Sequence, residues 1–312
     1  MMHHRLLRIT PIVALVLLTH LFLPLSFILG FDRAPQQNWL AWALEFYKAA
    51  SYGLFIFLVG AWSWFGRVTR YALPAALILV AVHSRPVEGA AADLLAFMGV
   101  ESLISFCIGT LFTFVAVRAL RGRNLRETSV DLHFPLRGGT FVVAQGGASS
   151  LLNAHFSNAS QRYALDVLEL NTFGVRTRGL YPAELNRYAI FGADVLSPCD
   201  GIVAGVQDGF ADLSPPDRDR EHRAGNYVAI ESDEATIYLA HLRQGTICVQ
   251  VGEQVVAGQK LGCVGNSGNT TEPHLHVHAE KGRYPGKFSG SPGVPIRFSG
   301  RFLVRNNRVK LP

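Results

Sequence analysis

Four apolar runs crowd the first 126 residues of this 312-residue chain. Residues 12–31 hold no Asp, Glu, Lys or Arg, a stretch long enough to cross a bilayer. Arg5 and Arg8 precede it. A secretory signal would have a shorter apolar core and a small-residue cleavage site, which Leu-Pro-Leu-Ser-Phe-Ile-Leu-Gly-Phe does not offer. A second run covers 46–65 and a fourth covers 94–117. The third, 71–83, is short enough to be a tilted span or a re-entrant piece. Glu101 lies near the start of the fourth run, where a carboxylate can snorkel to the interface. Together the runs predict a helical membrane region over residues 1–126 with three or four transmembrane helices, in a bacterial inner (cytoplasmic) membrane and in contact with membrane lipid.

Charge separates the two parts of the chain. Residues 1–126 carry 11 Lys/Arg and 5 Asp/Glu, a net +6, whereas residues 127–312 carry 18 of each sign. The basic excess flanks apolar runs and does not form a basic face on a folded domain, which argues against nucleic acid as a partner. With four spans, Arg5, Arg8, Arg67, Arg70, Arg118, Arg121, Arg123 and Arg126 share one side, and the loops opposite hold Arg33, Lys48 and Arg85. The positive-inside rule then puts the second domain in the cytoplasm. With three spans it lies outside. The runs show neither the paired intramembrane charges nor the broken helices that transport would call for.

From Leu132 onward, Gly, Asn, Asp and Pro punctuate short Val/Ile/Tyr/Thr-rich runs. These are GTFVVAQ (139–145), YALDVLEL (163–170), GIVAGV (201–206), NYVAIES (226–232), ATIYLAHL (235–242) and TICVQV (246–251). Such spacing predicts an all-β, antiparallel sandwich or open barrel over residues 127–312, with its core at about 133–300. The polar, Pro-rich stretch 207–225 reads as a long surface loop with His222 solvated. The four cysteines are too few for a disulfide scaffold and read as buried thiols, with a Cys248–Cys263 or Cys199–Cys263 bridge open to an extracytoplasmic domain.

The chemistry concentrates in GNSGNTTEPHLHVHAE, residues 265–280. A Gly/Asn/Ser/Thr turn runs into a strand whose every second residue is histidine. Side chains alternate along a strand, so His274, His276 and His278 project from one face. Imidazoles gathered in this way suit zinc. Asp166, His241 at the end of ATIYLAHL, and His155 in LLNAHF are the other candidates. A serine nucleophile is excluded, because GNSGN is not a Gly-x-Ser-x-Gly elbow.

In combination, AHL, the turn GEQVVAGQKLGCVGNSG and PHLH resemble the lysostaphin-type (LytM-domain) zinc metallopeptidases over about residues 133–300. The resemblance implies an antiparallel β fold, one Zn2+ and hydrolysis of peptide bonds in cell-wall peptidoglycan or a similar peptide. It assigns Asp166 and His276 as metal ligands and His241 and His274 as catalytic histidines. The family's first ligand is a histidine four residues before the aspartate, and here that position is Arg162. A guanidinium stays protonated and cannot ligate zinc. His155 is the best substitute ligand and His278 a weaker one, which reads as strand packing. Arg162 is then free to pair with Asp166 or with a substrate carboxylate. Two functions follow: a membrane-anchored zinc endopeptidase, or a degenerate, non-catalytic module that binds cell-wall peptide or a partner and regulates another hydrolase. A cell-wall substrate asks for an extracytoplasmic domain, whereas the charge bias of four spans asks for a cytoplasmic one.

Overall fold

The computed structural model describes residues 11–27, 39–86, 99–125, 127–288 and 290–312. The chain divides into two compact units, Met1–Ala119 and Leu120–Pro312. Helix α1, Pro11–Phe27, contains a π-helical turn at Leu18–Phe22. Residues 28–31 of the first expected span lie outside the described residues. Helix α2 is Trp39–Val59, α3 is Gly66–His83 and α4 is Val100–Arg121. Among the described helices, α2 and α4 are long and apolar enough to cross a membrane. Arg67, Arg70 and Pro74 lie within α3. Glu101 is exposed in the first turn of α4.

One expectation about these helices is corrected. Lys48 does not lie in a loop but in α2, where it pairs with Glu45 at 2.6 Å. Ser105 of α4 donates to Glu45 Oε1 at 2.6 Å and receives a hydrogen bond from Lys48 Nζ at 3.1 Å. One turn on, Ser51 and Thr113 lie 2.9 Å apart, and Thr113 donates to the Tyr47 hydroxyl. Gly109 lets the helices close, since a Cβ there would lie 2.6 Å from the Tyr47 ring. The α2–α4 contact thus carries a paired charge within a Ser/Thr/Tyr seam.

The second unit is built on a nine-stranded sheet. Its strands are β2 (Thr140–Gln145), β3 (Leu165–Leu170), β5 (Gly201–Gln207), β6 (Asn226–Glu231), β7 (Ala235–Leu242), β8 (Gln254–Val255), β10 (Leu275–Lys281), β11 (Gly293–Val294) and β13 (Arg308–Lys310). They run in the order β13-β2-β3-β10-β7-β6-β5-β8, with β11 beside β10, and every pairing is antiparallel. Two small sheets flank it: β4 (Asp194–Leu196) pairs antiparallel with β9 (Lys260–Cys263), and β1 (Val130–Leu132) pairs in parallel with β12 (Ile296–Phe298). All eight residues of β7 are buried, as are six of the seven in β10, so both strands lie at the centre of the core.

The run 246–251 is not a strand. Cys248 meets Leu261 through one backbone bond, and the Thr246 hydroxyl caps the Cys263 amide, while β9 gives its ladder to β4. All four cysteines are free. Cys107 and Cys248 are exposed, contrary to the expected burial, and Sγ of Cys248 turns to the Lys260 carbonyl and Sγ of Cys263 to Asp194.

Leu239 is fully buried at the middle of β7. Leu239→Ala is expected to destabilise the β unit by about 2–5 kcal/mol, the range for a buried leucine truncated in a packed core. Denaturant unfolding of the detergent-solubilised chain, followed by the β-sheet signal, measures this.

Candidate metal and catalytic site

Strand register assembles the site. Asp166 of β3 lies directly opposite His276 of β10, and His276 lies opposite Ala240 of β7. Opposed residues share a sheet face, so Asp166, His276 and Ala240 form one row and His278 and Tyr238 the next. His276 Nδ1 is 2.9 Å from Asp166 Oδ1. His274, one step before His276 on the same side, has Nε2 3.5 Å from Asp166 Oδ1.

His241 reaches the site by a different device. Adjacent to Ala240, it would face the opposite side of a regular strand. Tyr227 pairs with Ala240 and Asn226 with Leu242, so His241 is the extra residue of a β-bulge. Its φ is +63°, a left-handed conformation uncommon for histidine. The bulge turns the ring to 4.8 Å from the His274 ring and 5.8 Å from that of His276. Ala240, with only a methyl group, leaves the room.

His155 arrives on a short 3-10 turn, Ala154–Ser157. Asn153, fully buried, fixes that turn. Its carboxamide donates to the carbonyls of Gly147, Arg162 and Ala164 and accepts from the His155 amide at 3.0 Å. Gln145, opposite Asp166 across a second bulge, accepts from the Ala154 amide at 3.1 Å. His155 Nε2 thereby comes to 3.1 and 3.0 Å from the two Asp166 oxygens. Arg162 does not reach Asp166. Its guanidinium lies over the Phe156 ring, 5.3 Å from the centroid, and it hydrogen-bonds toward Tyr163. Of the two partners open to Arg162, Asp166 is taken instead by contacts with His155, His274 and His276.

His278 is not a packing residue alone. It stacks on Tyr238 at 4.6 Å, and its Nδ1 lies 3.1 Å from His276 Nε2. The sequence reading also missed Glu280, Asn153, Gln145 and Arg305, whose guanidinium donates to the Ala144 carbonyl at 2.6 Å. The alternating pattern His-x-His-x-His-x-Glu was the available signal for Glu280. No local signal marks the others.

The turn 265–268 walls the site, and the long loop 207–225 packs onto it instead of standing free. Leu213 donates to the Asn266 carbonyl, Asp219 to that of Gly268, and Asn269 to that of Arg223. His222 is about half exposed, bonded to Asp219 at 2.8 Å and stacked on Phe210. On the other side, the fully buried Arg176 bonds Glu272 at 2.6 Å, and Tyr181 bonds the Thr271 carbonyl, bracing the turn that leads into His274.

Electrostatics follow from burial and crowding. Burial opposes ionisation of Asp166, but the His155 and His274 charges and the histidine hydrogen bonds hold it well below the usual carboxylate range. Burial also opposes charge on His155, yet the Asp166 carboxylate raises it. Burial first, and neighbouring imidazoles next, push His241 well below its ordinary value. Burial pushes His276 down to about 3 and lowers His278 as well. Arg305 is drawn down to about 10 by burial, while Asp166 holds it up.

Carbonyls can only accept, so they fix two tautomers. His241 Nδ1–H donates to the Ser267 carbonyl at 2.8 Å, and His274 Nδ1–H to the Glu272 carbonyl at 2.8 Å. Both rings turn Nε2 inward. Among the described residues, two groups of donor atoms lie within metal-binding reach, each with its atoms within 4.8 Å of one another: His155, Asp166 and His276; and His241, His274 and His276. Two imidazoles and a carboxylate form a donor set that zinc accepts, and the buried anion of the first group favours a cation there.

Residues 187–287 match the model of peptidase family M23. The matched segment contains His241, His274, His276 and His278, whereas His155 and Asp166 precede it. Peptidoglycan DD-endopeptidase ShyA of Vibrio cholerae is 33% identical over 161 residues, covering 48% of this chain and 35% of that protein. The chain thus spans about a third of the length of this relative. Among solved structures, the catalytic domain of the antimicrobial peptidase lysostaphin from Staphylococcus simulans aligns at 21% identity and a TM-score of 0.23, covering 37% of this chain and 85% of that one. A zinc-containing peptidase from Vibrio cholerae aligns at 21% identity and a TM-score of 0.23, covering 48% and 50%.

The buried imidazoles set a pH dependence. His241, His276 and His278 have folded pKa values below their unfolded value of 6.5. Below that value the unfolded chain therefore binds more protons than the folded one, so their contribution to stability is lost as pH falls. His155, shifted upward, opposes this as one group against three. The metal-free chain is expected to lose stability as pH falls from 6.5 toward 3. Urea unfolding across that range checks it, and a flat or rising profile would contradict the assignment of neutral imidazoles.

Proposed function

We propose that the chain is a membrane-anchored zinc endopeptidase that hydrolyses peptide cross-links of peptidoglycan or a similar peptide. One observation carries this reading: His155, Asp166 and His276 converge on one face of the sheet with His241 and His274 beside them. The peptidoglycan substrate rests on the activity named for the Vibrio cholerae relative. Arginine at 162 was the feature that favoured a non-catalytic module. It loses that weight because His155 stands at Asp166 while Arg162 stacks on Phe156.

His155, Asp166 and His276 would hold the zinc. A zinc ion so held would supply Lewis acidity for the attacking water and the scissile carbonyl. His241 is the general base. It is neutral, anchored through Nδ1–H to Ser267, and presents an unprotonated Nε2 able to take a proton from the attacking water. The same nitrogen can return that proton to the leaving amine. His274 has acceptors at both ring nitrogens, the Glu272 carbonyl and Asp166, so a doubly protonated ring is satisfied there. In that form it stabilises the negative charge developing on the carbonyl oxygen.

The membrane region (1–126) carries the metallopeptidase domain (127–312). Arg67, Arg70 and Pro74 within α3 favour three spans, and with three spans the β unit would lie on the outer side, where peptidoglycan lies. Arg118, Arg121, Arg123 and Arg126 then lie outside, against the usual charge bias. A phosphatase that folds only after export, fused at the C-terminus, decides between the two sides. Activity is expected, and an inactive fusion alongside an active cytoplasmic reporter would refute the outer placement.

Elemental analysis of the full chain is expected to find about one zinc per chain, as for a single three-ligand site. His155→Ala and His276→Ala lose it, and Arg162→Ala keeps it. His241→Ala is expected to retain zinc while kcat on a peptidoglycan peptide falls by about 10²–10⁴, the usual worth of a general base. Wild-type chain that takes up no zinc would overturn the enzyme reading.

A further inference from the structure

The proposed ligands account for three of the buried groups on this face, but two more continue the row. Beyond His276 Nε2 lies His278 Nδ1 at 3.1 Å, and beyond His278 Nε2 lies Glu280 Oε1 at 3.4 Å. Glu280 is fully buried on β10. Its carboxylate accepts from the backbone amides of Gly290 at 3.0 Å and Ser291 at 2.9 Å. Burial opposes its ionisation, but His278 and these two amides hold it below the usual range. The row therefore runs carboxylate, imidazole, imidazole, carboxylate, from Asp166 to Glu280.

A count of protons along this row shows what it lacks. Three contacts join the four groups, and each needs one hydrogen. Two neutral imidazoles supply two. If both N–H groups point toward Glu280, His276 Nδ1 turns a lone pair on Asp166 Oδ1 at 2.9 Å. If both point toward Asp166, His278 Nε2 turns a lone pair on a carboxylate buried at the other end. Only at the Asp166 end do further donor atoms, those of His155, gather around the deficit. A cation there satisfies the first arrangement completely and cannot satisfy the second.

We propose that His278 and Glu280 are positioning residues of this site. Glu280 accepts His278 Nε2–H, His278 Nδ1 accepts His276 Nε2–H, and His276 is left to present Nδ1 as a metal ligand. The stack of His278 on Tyr238, at 6° between planes, holds the middle ring in the orientation this requires. Outer partners of metal-bound histidines fix tautomer and ring orientation in this way, and their loss typically weakens metal affinity about 10–100-fold. The assignment rests on the zinc-site reading above.

The test uses the full-length chain in detergent micelles with zinc alone as the probe. Two variants are compared with wild type. His278→Phe keeps a ring against Tyr238 but removes the acceptor. Glu280→Gln is nearly isosteric, and its carboxamide oxygen takes the Gly290 and Ser291 amides, which turns N–H toward His278 and reverses the row. Zinc affinity, measured by chelator competition, is expected to fall about 10–100-fold in both variants. In histidine-¹⁵N-labelled, zinc-loaded wild type, His278 is expected to carry its proton on Nε2, a signature that simple packing would not impose. If His278→Phe does not fold, Glu280→Gln and the wild-type tautomer decide the matter. Wild-type affinity in the folded variants, or a His278 protonated on Nδ1, would overturn the positioning role while leaving the zinc site intact. Wild-type chain that binds no zinc would overturn the zinc-site reading, and this proposal with it.

Discussion

The pairing of β3 with β10 is the constraint on which the rest of the β unit depends. It sets Asp166 opposite His276 in the middle of a sheet, on a face from which water is largely excluded. A slip of one residue would send Asp166 to the opposite face and leave three histidines facing one another without an anion. A buried carboxylate must be paired or it is lost as a charge. His155, His274 and His276 all answer that need, and Arg305 adds a guanidinium behind them. The apolar core beneath this face, with β7 buried along its whole length, prevents the register from drifting.

Regular strands could not have built this constellation alone. Alternation delivers His274, His276, His278 and Asp166, but it sends His241 to the wrong side. A bulge with a left-handed residue at its centre corrects that, and a second bulge between Val143 and Gln145 brings Gln145 opposite Asp166. Local strain of this kind persists only where the surroundings over-determine it. Here the Ser267 carbonyl holds the His241 ring, and Ser267 is itself fully buried, with its hydroxyl shared between the Asn226 amide and the Leu242 carbonyl.

What was legible in the sequence divides along the same line. The histidine alternation of β10 and the apolar runs of β2, β3, β5, β6 and β7 are periodic, local signals, and the sheet contains them as such. TICVQV has the same composition and no ladder, because its neighbour β9 is already paired with β4. The reach of His155 to Asp166, eleven residues on, depends on Asn153 folding a turn back, which only the tertiary structure can specify. His278 looked like strand packing because alternation predicts its face but not that Glu280 would stand beyond it. Lys48 looked like a loop residue because hydropathy marks where an apolar run starts, whereas a helix begins where its backbone bonds begin.

That last error bears on how the helical unit should be understood. Glu45 and Lys48 are three residues apart on α2, so they meet on one helix face and neutralise one another. Ser105 bonds both, and the Ser51–Thr113–Tyr47 cluster continues the seam past Gly109. The close approach at Gly109 and the shared hydroxyls hold the two helices together. A charged pair enclosed by such a seam fixes the register of α2 on α4 in the way that Asp166 fixes β3 on β10. In both units the polar groups are costly to bury and for that reason specific: each tolerates one arrangement of its neighbours, and the apolar contacts around it accommodate themselves to that arrangement.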